Sequence, residues 1–405
     1  MKKILALGCA LLVLLAACSG AVTEESPSPS VSESPSAAAS PSAEPPKLPV
    51  FEGTAEAFTE YGGLEFIRLM GAGWNLGNTL DASGGMGIES ETAWGNPKTT
   101  AAMIQVVADA GFKTIRIPTT WNRHFTSAPE YKIDGAWMDR VQEVVDYAID
   151  AGLYVILNMH HETDWQYPDK ANSKKGIAAI TATWSQIASR FGGYDEHLLF
   201  ETMNEPRLTG TNLEWNGGDD ESREIINIWN REAVKAIRAT GGNNDKRWVM
   251  CPPYAAATTQ QALKGFKLPD DPYVILSAHA YKPYNFALNT NTKFNTFDPA
   301  NPQDTNEIDN TIRTLVDNFI SKGIPVVIGE NGCVNKENLE ARTAWAAYFS
   351  GKAAEAGIPN VFWDNGVQLA TNGGEGFGLL DRRGLVWWYP EIAEAFAAPY
   401  NTGDA

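Results

Sequence analysis

The stretch Ala151-Gly-Leu-Tyr-Val-Ile-Leu-Asn-Met-His-His161 decides the fold. It opens with a glycine after a helical segment, where a helix C-cap needs the left-handed backbone. Apolar and β-branched residues then run without a polar break from Tyr154 to Leu157, as in a parallel strand buried on both faces. The run ends in Asn158, His160 and His161, which have no place inside such a strand.

The same rhythm recurs on both sides of this stretch. Ala110-Gly111 precedes Lys113-Thr-Ile-Arg-Ile-Pro118, and Gly192-Gly193 precedes His197-Leu-Leu-Phe-Glu201. Gly241-Gly242 precedes Arg247-Trp-Val-Met250, Gly323 precedes Pro325-Val-Val-Ile-Gly329, and Gly357 precedes Asn360-Val-Phe-Trp363. With Gly73-Trp-Asn-Leu76 and Tyr273-Val-Ile-Leu-Ser277 there are eight strand candidates. The segments between them carry helical stripes: Ile177, Ile180, Trp184, Ile187 and Phe191; Trp137, Val141, Val144, Val145 and Ala148; Ile308, Ile312, Leu315 and Phe319. Eight strands alternating with helices predict an α/β protein, a (β/α)8 TIM barrel in a single catalytic domain. An open doubly wound sheet is the second choice, but no G-x-G-x-x-G follows Trp74.

In such a barrel the chemistry gathers at the C-terminal ends of the strands. Those ends carry Arg116 on the second strand, Asn158, His160 and His161 on the third, and Asn204-Glu205 on the fourth. His279 and Tyr281 follow the sixth strand, Glu330 ends the seventh and Trp363 the eighth. Glu205 and Glu330 therefore face each other across the mouth. His160-His161-Glu162 is not a His-x-His pair and no H-E-x-x-H occurs, so neither a metal nor a cofactor is expected. Metal-free paired carboxylates suit acetal hydrolysis, which needs one protonated and one ionised. Arg116 is placed to hold one of them ionised, Asn204 to bind a sugar hydroxyl, and Trp363 to floor the pocket under an apolar sugar face.

These residues resemble glycoside hydrolase family 5, the retaining cellulase-type barrels. The resemblance is carried by Gly73-Trp-Asn-Leu-Gly-Asn-Thr79, Glu91-Thr-Ala-Trp-Gly-Asn-Pro97, Ile115-Arg-Ile-Pro118 and Asn158-Met-His-His161. It continues through Phe200-Glu-Thr-Met-Asn-Glu-Pro206, His279-Ala-Tyr281, Ile328-Gly-Glu330 and Phe362-Trp-Asp-Asn-Gly366, and covers residues 60 to 398. It is most similar to subfamily 4, whose members cut β-1,4-glucans, mixed-linkage glucan, xyloglucan and sometimes xylan.

The resemblance implies Glu205 as acid/base and Glu330 as nucleophile. His279 would support the former, Tyr281 and Arg116 the latter, with His160 and Asn204 completing the set. Trp363, His161, Asn78, Trp94 and Tyr284 are the expected substrate-binding residues. Asn331 departs from the family, which more often has an aromatic residue after the nucleophile. The activity so implied is that of an endo-β-1,4-glucanase on a β-glucan polysaccharide. A xylanase or mannanase, a non-catalytic glycan-binding surface lipoprotein and a metal-dependent barrel hydrolase are the alternatives. A retaining mechanism places the two carboxyls about 5–5.5 Å apart, against about 6.5–9.5 Å for an inverting one. Because only Glu330 has an arginine in its expected surroundings, Glu205 is expected to have the raised pKa and Glu330 the lowered one.

Several aromatic residues outside this set lie in the expected loops. Trp121, Trp165, Trp215 and Tyr254 are weaker candidates for sugar stacking, whereas Trp184, Trp229 and Trp345 fall on helical stripes as core residues. His124 and His197 read as structural, and Asp134 as a helix N-cap.

The 405 residues carry a formal net charge of -17, which disfavours phosphate backbones and excludes nucleic acid as the expected partner. A hydrophobic share of 43% is enough for a large core, and 13 tryptophans suit both a core and stacking on neutral sugars. Residues 1–18 read as a signal: Lys2 and Lys3, a short apolar run, then Leu15-Ala-Ala-Cys18, which resembles the bacterial lipobox. Cys18 is the expected lipidation site, making this an extracellular, cell-surface lipoprotein that meets the membrane only through its anchor. In the following linker, residues 19–50, Ser, Pro and Ala fill twenty-one of the positions from Ser19 to Pro49 and no residue there is aromatic. It is expected to be disordered. Residues 51–405 are the expected catalytic domain, acting as a monomer. Cys251 and Cys333 are its only cysteines, and their pairing is open.

Overall fold

The computed structural model describes residues 48–85, 87–370 and 374–401. The expected signal, Cys18 and all but the end of the expected linker lie outside these residues. Eight strands form the barrel: β1 Ala72–Leu76, β2 Thr114–Ile117, β3 Tyr154–Asn158, β4 Leu198–Glu201, β5 Val249–Cys251, β6 Val274–His279, β7 Val326–Asn331 and β8 Asn360–Asp364. They pair in chain order, all parallel, and β8 closes on β1 with Asn75 opposite Trp363. Two irregularities fall at the upper ends, between Ala278 and His279 on β6 and between Ile328 and Asn331 on β7. A local break in register re-aims a side chain, and here the breaks flank His279 and Glu330.

The helices are α1 Gly63–Met70, α2 Ala101–Asp109, α3 Gly135–Asp150, α4 Ser173–Arg190, α5 Asp220–Arg238, α6 Gln260–Leu263, α7 Tyr284–Ala287, α8 Pro302–Asn318, α9 Leu339–Glu355 and α10 Pro390–Ala397. Asp134 caps α3, its Oδ1 accepting the amide of Ala136 at 2.8 Å. Trp184, Trp229 and Trp345 are buried among the helices and strands. The fifth crossover differs from the expected rhythm, because α6 has only four residues. No described helix is long and apolar enough to cross a membrane.

Alternation along the strands divides the barrel interior into two layers. The lower layer is apolar: Ile156, Leu199, Met250, Ile275, Val327 and Val361 pack with Phe66, Ile67 and Met70, so α1 closes the N-terminal end. Two residues further along the strands, the upper layer is polar and holds Asn75, Arg116, Asn158, Glu201 and Ser277, all without solvent exposure. The chain enters at the lower end. The Phe51 amide donates to Thr240 O at 2.8 Å, and its ring lies where a Cβ on Gly192, Gly193 or Gly242 would stand. Cys251 and Cys333 are buried free thiols and do not pair.

Candidate active site

Arg116 organises the mouth of the barrel from β2. Its Nη1 donates to Oε1 of Glu330 at 2.7 Å and to Oδ1 of Asn75 at 3.0 Å. Its Nε and Nη2 donate to Oε2 of Glu201 at 2.9 and 2.7 Å, and Nη2 also reaches Oδ1 of Asn204 at 2.8 Å. Burial disfavours the guanidinium, but the carboxylates of Glu201 and Glu330 more than offset it and hold Arg116 firmly protonated. Buried charges persist only when paired in this way, and removing one partner of such a pair destabilises by about 3–5 kcal/mol.

Glu330 also accepts from the Tyr281 hydroxyl at 2.8 Å, on the oxygen that Arg116 leaves free. Burial and the neighbouring Glu330 push the Tyr281 phenol well above its ordinary range, so it remains a donor. Glu205, four residues beyond β4, reaches the same space. His279 Nδ1 lies 2.8 Å from Glu205 Oε1 and 3.5 Å from Glu330 Oε2. Donor atoms of Glu205, His279 and Glu330 all fall within 4.8 Å of one another. One imidazole nitrogen thus stands between both carboxyls, and an imidazole proton closes this trio without an ion.

The expected charge assignment for Glu205 is overturned. Burial raises its pKa, but the His279 hydrogen bond, the His279 charge, Arg207 and Arg116 outweigh burial and lower it. Burial would lower His279, yet Glu330 and Glu205 raise it. In the free protein the shared proton therefore sits on the imidazole side of the pair. Sequence reasoning missed Arg207, whose Nη1 lies 3.5 Å from Glu205 Oε2. Arg207 is held by Glu214 at 3.1 Å and stacks 4.3 Å from the Trp215 ring.

His160 lies beside this centre. Its Nδ1 is 3.1 Å from Asn158 Nδ2, which donates to Glu201 at 2.8 Å. Burial, with His161 and Arg116 nearby, lowers the His160 pKa well below the ordinary value and keeps the ring neutral. Burial likewise lowers His161 to about 4. The Trp363 ring is parallel to His160 at 5.8 Å, and Trp94 lies 5.8 Å from His161. A cavity of about 230 Å³ beside Glu205 is lined by His160, His161, Gln166, Tyr167, Asn204 and Arg207 among others. Asp81, His160 and His161 form a second set of converging donors. The Asp81 oxygens already accept the amides of Thr79 at 2.7 Å and Asn78 at 3.1 Å, so that aspartate braces the loop after β1.

The sequence-derived residues thus divide into groups. Arg116, Asn204, Glu205, His279, Tyr281 and Glu330 are joined by direct contacts, and His160, His161, Trp363 and Trp94 lie alongside. Asn78 shapes its loop through a left-handed backbone, φ 58°, and accepts Asn96 Nδ2 on its carbonyl at 2.9 Å. Tyr284 opens α7 and is exposed, with no described bond to the carboxylates. Of the weaker aromatic candidates, Trp215 is exposed, whereas Trp121, Trp165 and Tyr254 are buried in the core and cannot meet a ligand. His124 is buried and stacked 3.9 Å from Trp137, and His197 leans on Asp195. Asn331 is fully buried, with no side-chain partner among the described residues. Glu201 and Asn75, which hold Arg116, were not singled out from the sequence.

Comparison with known proteins adds four findings. The family model described as cellulase (glycosyl hydrolase family 5) matches residues 80–368. Endoglucanase A of Clostridium longisporum is 47% identical over 344 residues, which are 83% of this chain and 66% of that one, so the chain spans less than two thirds of that relative. Among solved structures, a GH5-4 broad specificity endoglucanase from Ruminococcus champanellensis with bound cellotriose is 45% identical with a TM-score of 0.81, covering 84% of this chain and 100% of that one. A xyloglucan-specific endo-β-1,4-glucanase from a metagenomic library, in complex with cellotriose, is 40% identical with a TM-score of 0.79, covering 83% and 98%.

Proposed function

The chain belongs to glycoside hydrolase family 5, and on that premise we propose that it is a retaining endo-β-1,4-glucanase acting on β-glucan polysaccharides. The observation that carries this reading is the placement of Glu205 and Glu330 on either side of one His279 nitrogen, with donor atoms within 4.8 Å. That spacing favours direct attack by a carboxylate over an interposed water.

In the first step a Glu330 oxygen attacks the anomeric carbon, the glycosidic C–O bond breaks, and the departing oxygen takes the proton of Glu205. The product is a glycosyl ester on Glu330. In the second step Glu205 takes a proton from water, the water oxygen attacks the anomeric carbon, and the ester bond to Glu330 breaks. Two inversions return the original configuration. Arg116 and Tyr281 stabilise Glu330 as anion and as leaving group. His279 supplies the proton that Glu205 needs, because the free protein favours it on the imidazole. Asn204 and His160 face the sugar, and Trp363, His161 and Trp94 offer ring surfaces along the cleft, with Asn78 and Tyr284 further out.

Proton NMR of the first product from barley β-glucan tests the mechanism: the β-anomer is expected first, and the α-anomer would overturn it. Rates on β-glucan, xyloglucan, carboxymethyl cellulose, xylan and mannan test the substrate class, which is wrong if mannan or xylan is the preferred polymer.

We also propose the organisation read from the sequence: a signal over residues 1–18, a linker over 19–50 and a catalytic domain over 51–405. The domain is tethered to the outer cell surface by a lipid on Cys18. We also propose that it acts as a monomer. Labelled palmitate should enter the protein and should be lost in Cys18→Ala; label retained in that variant would refute the anchor.

A further inference from the structure

His279 uses one ring nitrogen on the two carboxyls, and the other faces inward. Nε2 is buried and has no protein partner among the described residues. Unsatisfied buried donors of this kind are rare and are commonly met by buried water. The space it faces lies over Gly329. A Cβ placed there would be 3.6 Å from His279 Nε2, 3.5 Å from Glu201 Oε1 and 3.6 Å from Ser277 Oγ. Ser277 Oγ itself donates to Glu201 Oε1 at 2.5 Å. Three polar atoms thus converge on a space large enough for a methyl group, and a buried water makes about three hydrogen bonds.

Neither the backbone nor packing requires glycine at this position. Gly329 has no positive φ, and every neighbour of the added Cβ stands at ordinary van der Waals distance. Glycine here keeps the space free for something smaller and polar.

We propose that a buried water is held over Gly329 by His279 Nε2, Glu201 Oε1 and Ser277 Oγ, and that through it Glu201 is a positioning residue for the proton shared by His279 and Glu205. Glu201 then serves two partners: one oxygen holds Arg116, and the other fixes the His279 tautomer with Nε2 as donor. Nδ1 is left to exchange its proton with Glu205. The charged and titratable groups facing His279 are Glu205 from the β4 loop, Glu330 and Glu201 from β7 and β4, Arg116 from β2, His160 from the β3 loop, and Tyr281 just after β6. Of these, only Glu201 reaches the ring from its Nε2 side through the proposed water. Loss of that link makes the pair release its proton at lower pH.

The proposal rests on the reading of Glu205 as the acid, and the experiment separates the two. Gly329→Ala puts a methyl group where the water would stand. On β-glucan its basic limb of kcat/KM should move to lower pH by about half to one unit, the equivalent of one hydrogen bond. On 2,4-dinitrophenyl β-cellobioside, whose leaving group needs no proton, kcat/KM at the pH optimum, which reports the first step, should change less than about threefold. A basic limb unchanged on β-glucan overturns the water and the role of Glu201. If Gly329→Ala does not fold, Ser277→Ala decides on the same readout: a shift in the same direction supports the proposal and an unmoved limb rejects it. The underlying reading fails separately, if Glu205→Ala lowers kcat/KM, which reports the first step, as completely on the dinitrophenyl substrate as on β-glucan.

Discussion

Arg116 Nη1 lies 2.7 Å from Oε1 of Glu330, with the guanidinium buried and its other edge on Glu201. One cation therefore answers two carboxylates, and the planar fork does what a single ammonium cannot. Arg116→Lys keeps the charge but can satisfy only one of them. We expect kcat on β-glucan to fall by about a thousandfold or more. Unfolding free energy should fall by about 3 kcal/mol, since one carboxylate is left without its counter-ion. Urea unfolding and steady-state kinetics measure both, and a variant of wild-type stability would mean that Glu201 is satisfied some other way.

The covalent role of Glu330 has its own test. Glu330→Ala should lose hydrolysis by about a millionfold at most. Sodium azide should then restore turnover of an aryl β-cellobioside, because the space left by the carboxylate admits a small anion. The expected product is the α-glycosyl azide. If azide instead rescued Glu205→Ala through the α-azide, the two carboxylates would have exchanged roles.

Six of the eight strands were legible because a glycine ending the preceding helical segment is followed by a short apolar run, two local signals that reinforce each other, whereas the first and sixth were read from their own residues alone. The strand-end residues were legible because the barrel places its chemistry there. Glu201 was legible in principle: it follows the inward Leu199 by two residues, so a charge stands at an inward position of β4. Arg207 was not, because its approach to Glu205 depends on a loop folding back through Glu214 and Trp215. The pKa direction of Glu205 failed for the same reason, since its neighbours come from β6 and from its own returning loop. The burial of Trp121, Trp165 and Tyr254 also lay beyond sequence patterns, because loop residues carry no period to read. Pairing of Cys251 with Cys333 depended on distance alone.

Glu162 lends itself to a pH test. Burial raises its carboxyl to about 7, although the Trp121 amide donates to it at 2.7 Å. A raised folded-state pKa means that the folded protein holds a proton which the unfolded chain releases near pH 4.5. Stability is therefore full below about 4.5 and falls as pH rises to about 7, by roughly 3 kcal/mol at most for this group. Glu162→Gln is neutral and can still accept the amide. Its melting temperature, relative to wild type, should rise between pH 5 and pH 8. A constant difference across that range would show that Glu162 ionises without penalty.

The entry of the chain decides how much of the N-terminal segment the domain needs. Phe51 sits in a socket of glycines, 192, 193 and 242, where any side chain would collide with its ring. Val50 contributes its carbonyl to the Ser189 hydroxyl at 2.9 Å, while its side chain stays exposed. A chain beginning at Val50 keeps both contacts and should be as stable and as active as the full-length protein. Phe51→Ala empties the socket, and because the ring is only partly buried the expected loss is about 1–2 kcal/mol, below the cost of a full core truncation. In a domain of this size that corresponds to a fall of about 1–3 °C in Tm. kcat should not change, because Phe51 lies at the lower end of the barrel and the carboxylates at the mouth. Calorimetry of the two variants side by side is the measurement. Equal melting temperatures for Phe51→Ala and the chain beginning at Val50 would show that the socket contributes nothing to holding the entry segment.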